Sequence, residues 1–130
     1  MSKSYGFSKH LAGVTVDDAT ARVTEALKVE GFGVLTEIDV SATLKKKLDV
    51  DFRPYRILGA CSPGLAYQAL QVDPAIGLIL PCNVVVQEAD GGAEVLIIDP
   101  RAMFAAVDRP ELEPVVAQAD ERLRRVVDAL

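Results

Sequence analysis

Residues 76–98 read Ile-Gly-Leu-Ile-Leu-Pro-Cys-Asn-Val-Val-Val-Gln-Glu-Ala-Asp-Gly-Gly-Ala-Glu-Val-Leu-Ile-Ile, two aliphatic runs on either side of Asp90-Gly91-Gly92. Glycine supplies the positive φ angles of a tight hairpin, so the triplet predicts a turn between two paired strands. The first strand is expected over Ile76–Glu88, bent at Pro81, and the second over Ala93–Ile98. The unbroken Val95-Leu96-Ile97-Ile98 run looks buried on both faces. A direct hairpin makes neighbouring strands antiparallel, which argues against a doubly wound parallel sheet.

Upstream, Tyr5 and Phe7 alternate with small or polar residues and predict a strand over Ser4–Leu11. Thr15 caps a helix to Glu30 that carries Val16, Ala19, Val23, Ala26 and Leu27 at helical spacing, and Gly31 ends it. Phe32, Val34, Thr36 and Ile38 alternate as a second strand. A short helix follows over Ser41–Leu48 with Ser41 as its cap, and Pro54 opens a third strand, Tyr55–Ala60. Ser62-Pro63 is a helix-start signal, a hydroxyl cap followed by proline in the first turn. That helix carries Leu65, Ala66, Ala69 and Leu70 and stops at Asp73-Pro74. Downstream of the hairpin, Asp99-Pro100 starts a short helical turn. A last helix then shows one apolar stripe: Leu112, Val115, Val116, Ala119, Leu123, Val126, Val127 and Leu130. The order β-α-β-α-β-α-β-β-α predicts a single α+β domain over residues 1–130. Its sheet should be mostly antiparallel, with helices on one face.

Composition excludes several function classes. The 130 residues carry a net charge of −5, against the basic field of a general nucleic-acid binder. The same charge disfavours docking on anionic lipid. Between Ile57 and Gln87 the only charge is Asp73, but Pro63, Gly64, Pro74, Gly77 and Pro81 break the run too often for a membrane helix. No apolar leader segment occurs in the first ten residues, so a cytoplasmic chain is expected. Two cysteines there are not a disulfide framework. A single histidine, His10, excludes any site within one chain that needs two. Gly31-Phe32-Gly33 and Gly91-Gly92 lack the strand–glycine–helix context of a phosphate loop.

Several blocks in order carry a family likeness. They are residues 37–48 (Glu-Ile-Asp-Val-Ser-Ala-Thr-Leu-Lys-Lys-Lys-Leu), 55–63 (Tyr-Arg-Ile-Leu-Gly-Ala-Cys-Ser-Pro), Leu65-Ala66 and Ala69-Leu70, 74–86 (Pro-Ala-Ile-Gly-Leu-Ile-Leu-Pro-Cys-Asn-Val-Val-Val), Ile98-Asp99-Pro100 and Met103. Together they resemble family 302 of the domains of unknown function, over roughly Tyr5 to Val107. Ser62 departs from the family pattern, in which Asn is usual; both residues are good helix caps. The resemblance implies a small prokaryotic α+β protein that forms homodimers, and it brings no agreed activity and no cofactor.

Candidate chemistry centres on Cys61, where a strand ends and a helix begins. Backbone N–H groups and the helix dipole at such a junction would lower a thiol pKa. Cys82 follows Pro81 on the next strand, and the two thiols would meet if those strands are neighbours in matching register. The pair reads as buried small hydrophobes, as a reactive thiol in redox or sulfur transfer, or as a soft-metal site. Zinc is disfavoured because it wants three or four ligands; copper(I) would fit better. Cys61, Ser62, Cys82 and Asn83 thus form the candidate ligand site. Lys45, Lys46, Arg53 and Arg56 form a candidate anion patch, against the alternative of a solvated face. Arg122, Arg124 and Arg125 lie opposite the apolar stripe and read as solvated. No catalytic motif and no metal set emerges. The leading expectation is a small-ligand or thiol-based binding protein; the alternative is an interaction module with inert cysteines and an apolar dimer interface.

Overall fold

Asp90 and Gly91 turn the chain at φ values of 47° and 75°. Two consecutive positive φ angles match the right-handed twist of paired strands. They join β4 (Cys82–Ala89) to β5 (Gly92–Ile98), with Val84 opposite Ile97 and Val86 opposite Val95. The computed structural model describes residues 5–130, so Ser4 of the expected first strand lies outside the described residues. That strand, β1, spans Gly6–Ala12 and pairs with β5. Its backbone crosses Gly92 so closely that any Cβ there would meet Leu11, Ala12 and Gly13 main-chain atoms.

The remaining elements follow in chain order. They are α1 (Val16–Val29), β2 (Gly33–Asp39), α2 (Val40–Leu48), β3 (Tyr55–Cys61), α3 (Pro63–Val72), a 3₁₀ turn (Pro74–Ile79), α4 (Pro100–Met103), a second 3₁₀ turn (Pro110–Leu112) and α5 (Glu113–Asp128). The five strands form one sheet in the order β1-β5-β4-β3-β2, every neighbouring pair antiparallel. The α+β class and the element order are as expected. Thr15 caps α1 through its side chain on the Asp18 N–H.

The core lies between one face of the sheet and the helices. Val23 and Leu27 of α1 and Leu123 and Val126 of α5 are fully buried, as are Leu58, Val84, Val86, Val95 and Ile97 of the strands. Alternation along β5 buries Ala93, Val95 and Ile97 and leaves Leu96 and Ile98 half-buried, so the Val95–Ile98 run has one core face rather than two. Among the described residues no helix is long and apolar enough to cross a membrane.

Three local expectations need correction. The long strand does not begin at Ile76: Asp73 accepts from the Ala75 N–H and caps a 3₁₀ turn led by Pro74, and β4 begins only after a cis Leu80–Pro81 bond. A capping carboxylate followed by proline starts helical turns whatever the aliphatic content behind it. In β2 a bulge between Val34 and Thr36 leaves Leu35 unpaired, so Thr36 and Ile38 face away from the helices while Val34 faces them. The cap of α2 is Asp39, not Ser41; its carboxylate accepts from the Ala42 N–H and from the Ser41 hydroxyl, both at 2.9 Å.

The hairpin packing gives a direct test by chemical denaturation. Gly92→Ala should cost about 2 kcal/mol, because backbone rather than a movable side chain blocks the new methyl. Gly91→Asn, which keeps the positive φ, should cost much less.

Candidate functional site

β3 and β4 are neighbours, and their register sets Ala60 directly opposite Cys82. Opposed residues share a face, and successive residues alternate. Cys82 therefore joins Ala60 on the helix side, 7% exposed, whereas Cys61 points to the other face and is half-buried. Two Cβ vectors that point apart cannot be bridged, and both cysteines are free. The strands meet as the thiol hypothesis required; the parity does not.

The ends of β3 and β4, the head of α3 and a face of α5 enclose an apolar cavity of about 30 Å³, lined by Cys61, Ser62, Leu65, Pro81, Cys82 and Phe104 among others. That volume suits one water-sized body. Cys82 Sγ lies 3.9 Å from Met103 Sδ. Burial, and then the neighbouring Cys61, push the Cys82 thiol up to about 11. Burial also raises Cys61. The expectation that the head of α3 would lower a thiol pKa is thus overturned. Pro63 brings no N–H to the first turn, and desolvation of the thiolate outweighs the dipole.

Ser62 occupies the cap position of α3, yet its hydroxyl makes no capping bond. It is 7% exposed and accepts instead from Arg122 Nη1 at 3.4 Å. Arg122 Nη2 donates to Gln118 Oε1 at 3.4 Å on the preceding turn of α5. Two arginines, Arg56 and Arg122, are not fully exposed. Arg56 is claimed by the carboxylates of Asp17 and Glu37. Arg122 has no carboxylate partner among the described residues. In sequence it sits on the face opposite the apolar stripe of α5, and helical spacing does not reveal that the head of another helix lies beside it. Its neighbours do structural work as well: Arg125 bonds Glu30 at 2.8 Å, and Arg124 stacks on Phe7 at 4.5 Å.

Asn83 does not join this corner; it is exposed and pairs with Gly59 on the helix-free face. The expected anion patch also disperses. Lys45 bonds Asp49 and Asp51 at 3.1 and 3.4 Å, Lys46 is exposed, and Arg53 bonds Gln87 at 3.2 Å. Arg53 and Arg56 do line a large cleft of about 960 Å³ at the opposite end of the sheet, but Asp17, Glu88, Asp90 and Glu94 share it. With Arg56 already paired, that cleft carries more negative than positive charge. Among the described residues no three His, Cys, Asp or Glu side chains gather to hold a metal ion. His10 bonds the Ala89 carbonyl at 2.9 Å and sits far from the thiols in register.

Comparison with known proteins agrees with this architecture. The family described as "Domain of unknown function DUF302" matches residues 7–130. The chain belongs to the DUF302 family. The match extends past Val107 to the last residue, so α5, which supplies Arg122, lies within the shared DUF302 domain. A crystal structure of an uncharacterized conserved DUF302 protein from Bacillus stearothermophilus is similar, with 28% identity and a TM-score of 0.87 over 98% of each chain. No curated protein matches the chain.

The raised thiol pKa values have a signed consequence for stability. Between about pH 9 and 11 the unfolded chain releases the Cys82 proton while the folded chain keeps it. Stability is therefore full below pH 9 and falls as pH rises through that window, by on the order of 2 kcal/mol. Urea titrations across that range should show the fall in the wild type and a much flatter profile in Cys82→Ala.

Proposed function

We propose that this DUF302 protein is a small-ligand-binding protein whose seat is the β3–α3 corner, with Cys61 and Ser62 at its rim and a compact oxyanion as its ligand class. The observation that carries this reading is Arg122: a half-buried guanidinium without a carboxylate, directed at a buried hydroxyl that caps nothing. Desolvated guanidinium groups are costly unless paired, and their planar fork suits carboxylate, sulfate and phosphate oxygens. The head of α3 adds backbone donors of the same preference. Cys61 serves as a neutral wall, since burial holds its thiol protonated at neutral pH. Thiol-based redox or sulfur transfer is the weaker branch for the same reason. A cytoplasmic setting suits two cysteines that stay free.

A second reading, an interaction module with inert cysteines, is favoured by one specific observation. The sheet face without helices carries aliphatic side chains where a water-facing antiparallel sheet carries polar ones.

Titration with inorganic sulfate or phosphate, followed by amide NMR, tests the ligand reading. Gly64 and Leu65 amides should shift in a saturable way, and Arg122→Gln should weaken binding at least about tenfold. Absence of saturable shifts, or an unchanged affinity in Arg122→Gln, would overturn it.

A further inference from the structure

We infer that the ligand of the β3–α3 corner is a short-chain aliphatic monocarboxylate, its carboxylate on Arg122 and its alkyl end in the small apolar cavity beside it. The assignment rests on the proposed oxyanion reading and narrows its ligand to one class. Two features that meet at Ser62 carry it.

The polar half is the guanidinium. It has more N–H donors than the two that Ser62 and Gln118 take, so some are left for a ligand. Gly31 closes on it from the turn after α1, where a Cβ would lie 3.5 Å from Arg122 Nη1. The other arginines of α5, Arg124 and Arg125, are bonded to Asp120 and Glu30. The corner therefore offers one uncommitted positive charge, on a chain of net charge −5. That balance suits a monoanion and disfavours a dianion. A planar carboxylate matches the fork of the guanidinium through two parallel bonds.

The apolar half is the cavity of about 30 Å³, which Ser62 also borders. Ala119 borders it as well, and its i,i+3 spacing sets it on the same face of α5 as Arg122. The other lining side chains are hydrocarbon and thiol, with Leu65, Ala69, Leu80 and Phe104 among them. A buried water needs about two to four polar partners. Ser62 brings the only side-chain oxygen to this lining, and no side-chain nitrogen joins it. Such a cavity takes a methyl or ethyl group in preference to water. Sulfate and phosphate have oxygens on every side and would leave some unpaired against these walls. A monocarboxylate has its oxygens at one end, as the corner has its donors on one side.

NMR titrations with sodium formate, acetate, propionate, butyrate and sulfate at matched ionic strength test the inference. Each buried methyl or methylene should tighten binding about fourfold. Acetate should therefore exceed formate, propionate should exceed sulfate, and butyrate should gain nothing once the cavity is full. The propionate methyl should show nuclear Overhauser effects to the Leu65 and Ala119 methyls. Leu65→Ala, which widens the cavity, should move the best chain length to butyrate. Ala119→Val, which fills it, should bring the acetate-to-formate ratio close to one. Amide spectra check that both variants fold, and the wild-type series decides by itself if either does not. Equal affinity from formate to butyrate, or sulfate bound as tightly as propionate, would overturn the inference and leave the oxyanion reading standing. No saturable shift of the Gly64 amide with any of these anions would overturn both.

Discussion

The pairing of β3 with β4, with Ala60 opposite Cys82, is the constraint on which the rest of the molecule depends. It fixes which side chains of the two central strands enter the core. Leu58, Ala60, Cys82, Val84 and Val86 go in, against α1 and α5. A slip of β4 by one residue against β3 would send Asn83, Val85 and Gln87 inward instead and turn the core residues of that strand to the open face. The same register sends the two thiols to opposite sides, lines up the aliphatic row on the helix-free face, and ends β3 where Ser62 turns beneath α5. Core, corner and open face are three consequences of one alignment.

Much of this was legible in the sequence, for reasons that vary by element. The hairpin turn and the stripes of α1 and α5 were readable because each is a local signal: two positive-φ positions, a capping threonine, an unbroken 3.6-residue periodicity. The segment 74–81 was not, because its aliphatic content resembles a strand while the Asp73-Pro74 cap starts a 3₁₀ turn. The bulge at Leu35 has no sequence marker of its own, and it reverses the face of every residue after it in β2. Ser41 lost the capping position to Asp39, whose carboxylate reaches the same N–H and also takes the Ser41 hydroxyl.

The candidate site shows the same division. Cys61, Ser62 and Cys82 stand out in the sequence, and all three border one small cavity although the register turns the two thiols to opposite faces. Their chemistry follows from burial, which sequence does not show: desolvation raises both thiols where the helix head alone would lower one. Arg122 is not legible in sequence because its meaning lies in what is absent beside it. Seen along α5 it is one more polar residue opposite an apolar stripe; seen in the fold it is a half-buried cation without a counter-charge. The lysines of α2 fail in the opposite sense, conspicuous in sequence yet exposed, with Lys45 already paired in space.

The thiol geometry offers the most direct test of the register that underlies all of this. Native protein treated with a thiol oxidant such as diamide, then measured by intact-mass spectrometry under denaturing conditions, reports whether an internal disulfide forms. Thiols on opposite faces of paired strands cannot be bridged without backbone movement. The account predicts a chain that keeps the mass of two free thiols. Loss of two hydrogens through a Cys61–Cys82 bond in the folded protein would contradict it.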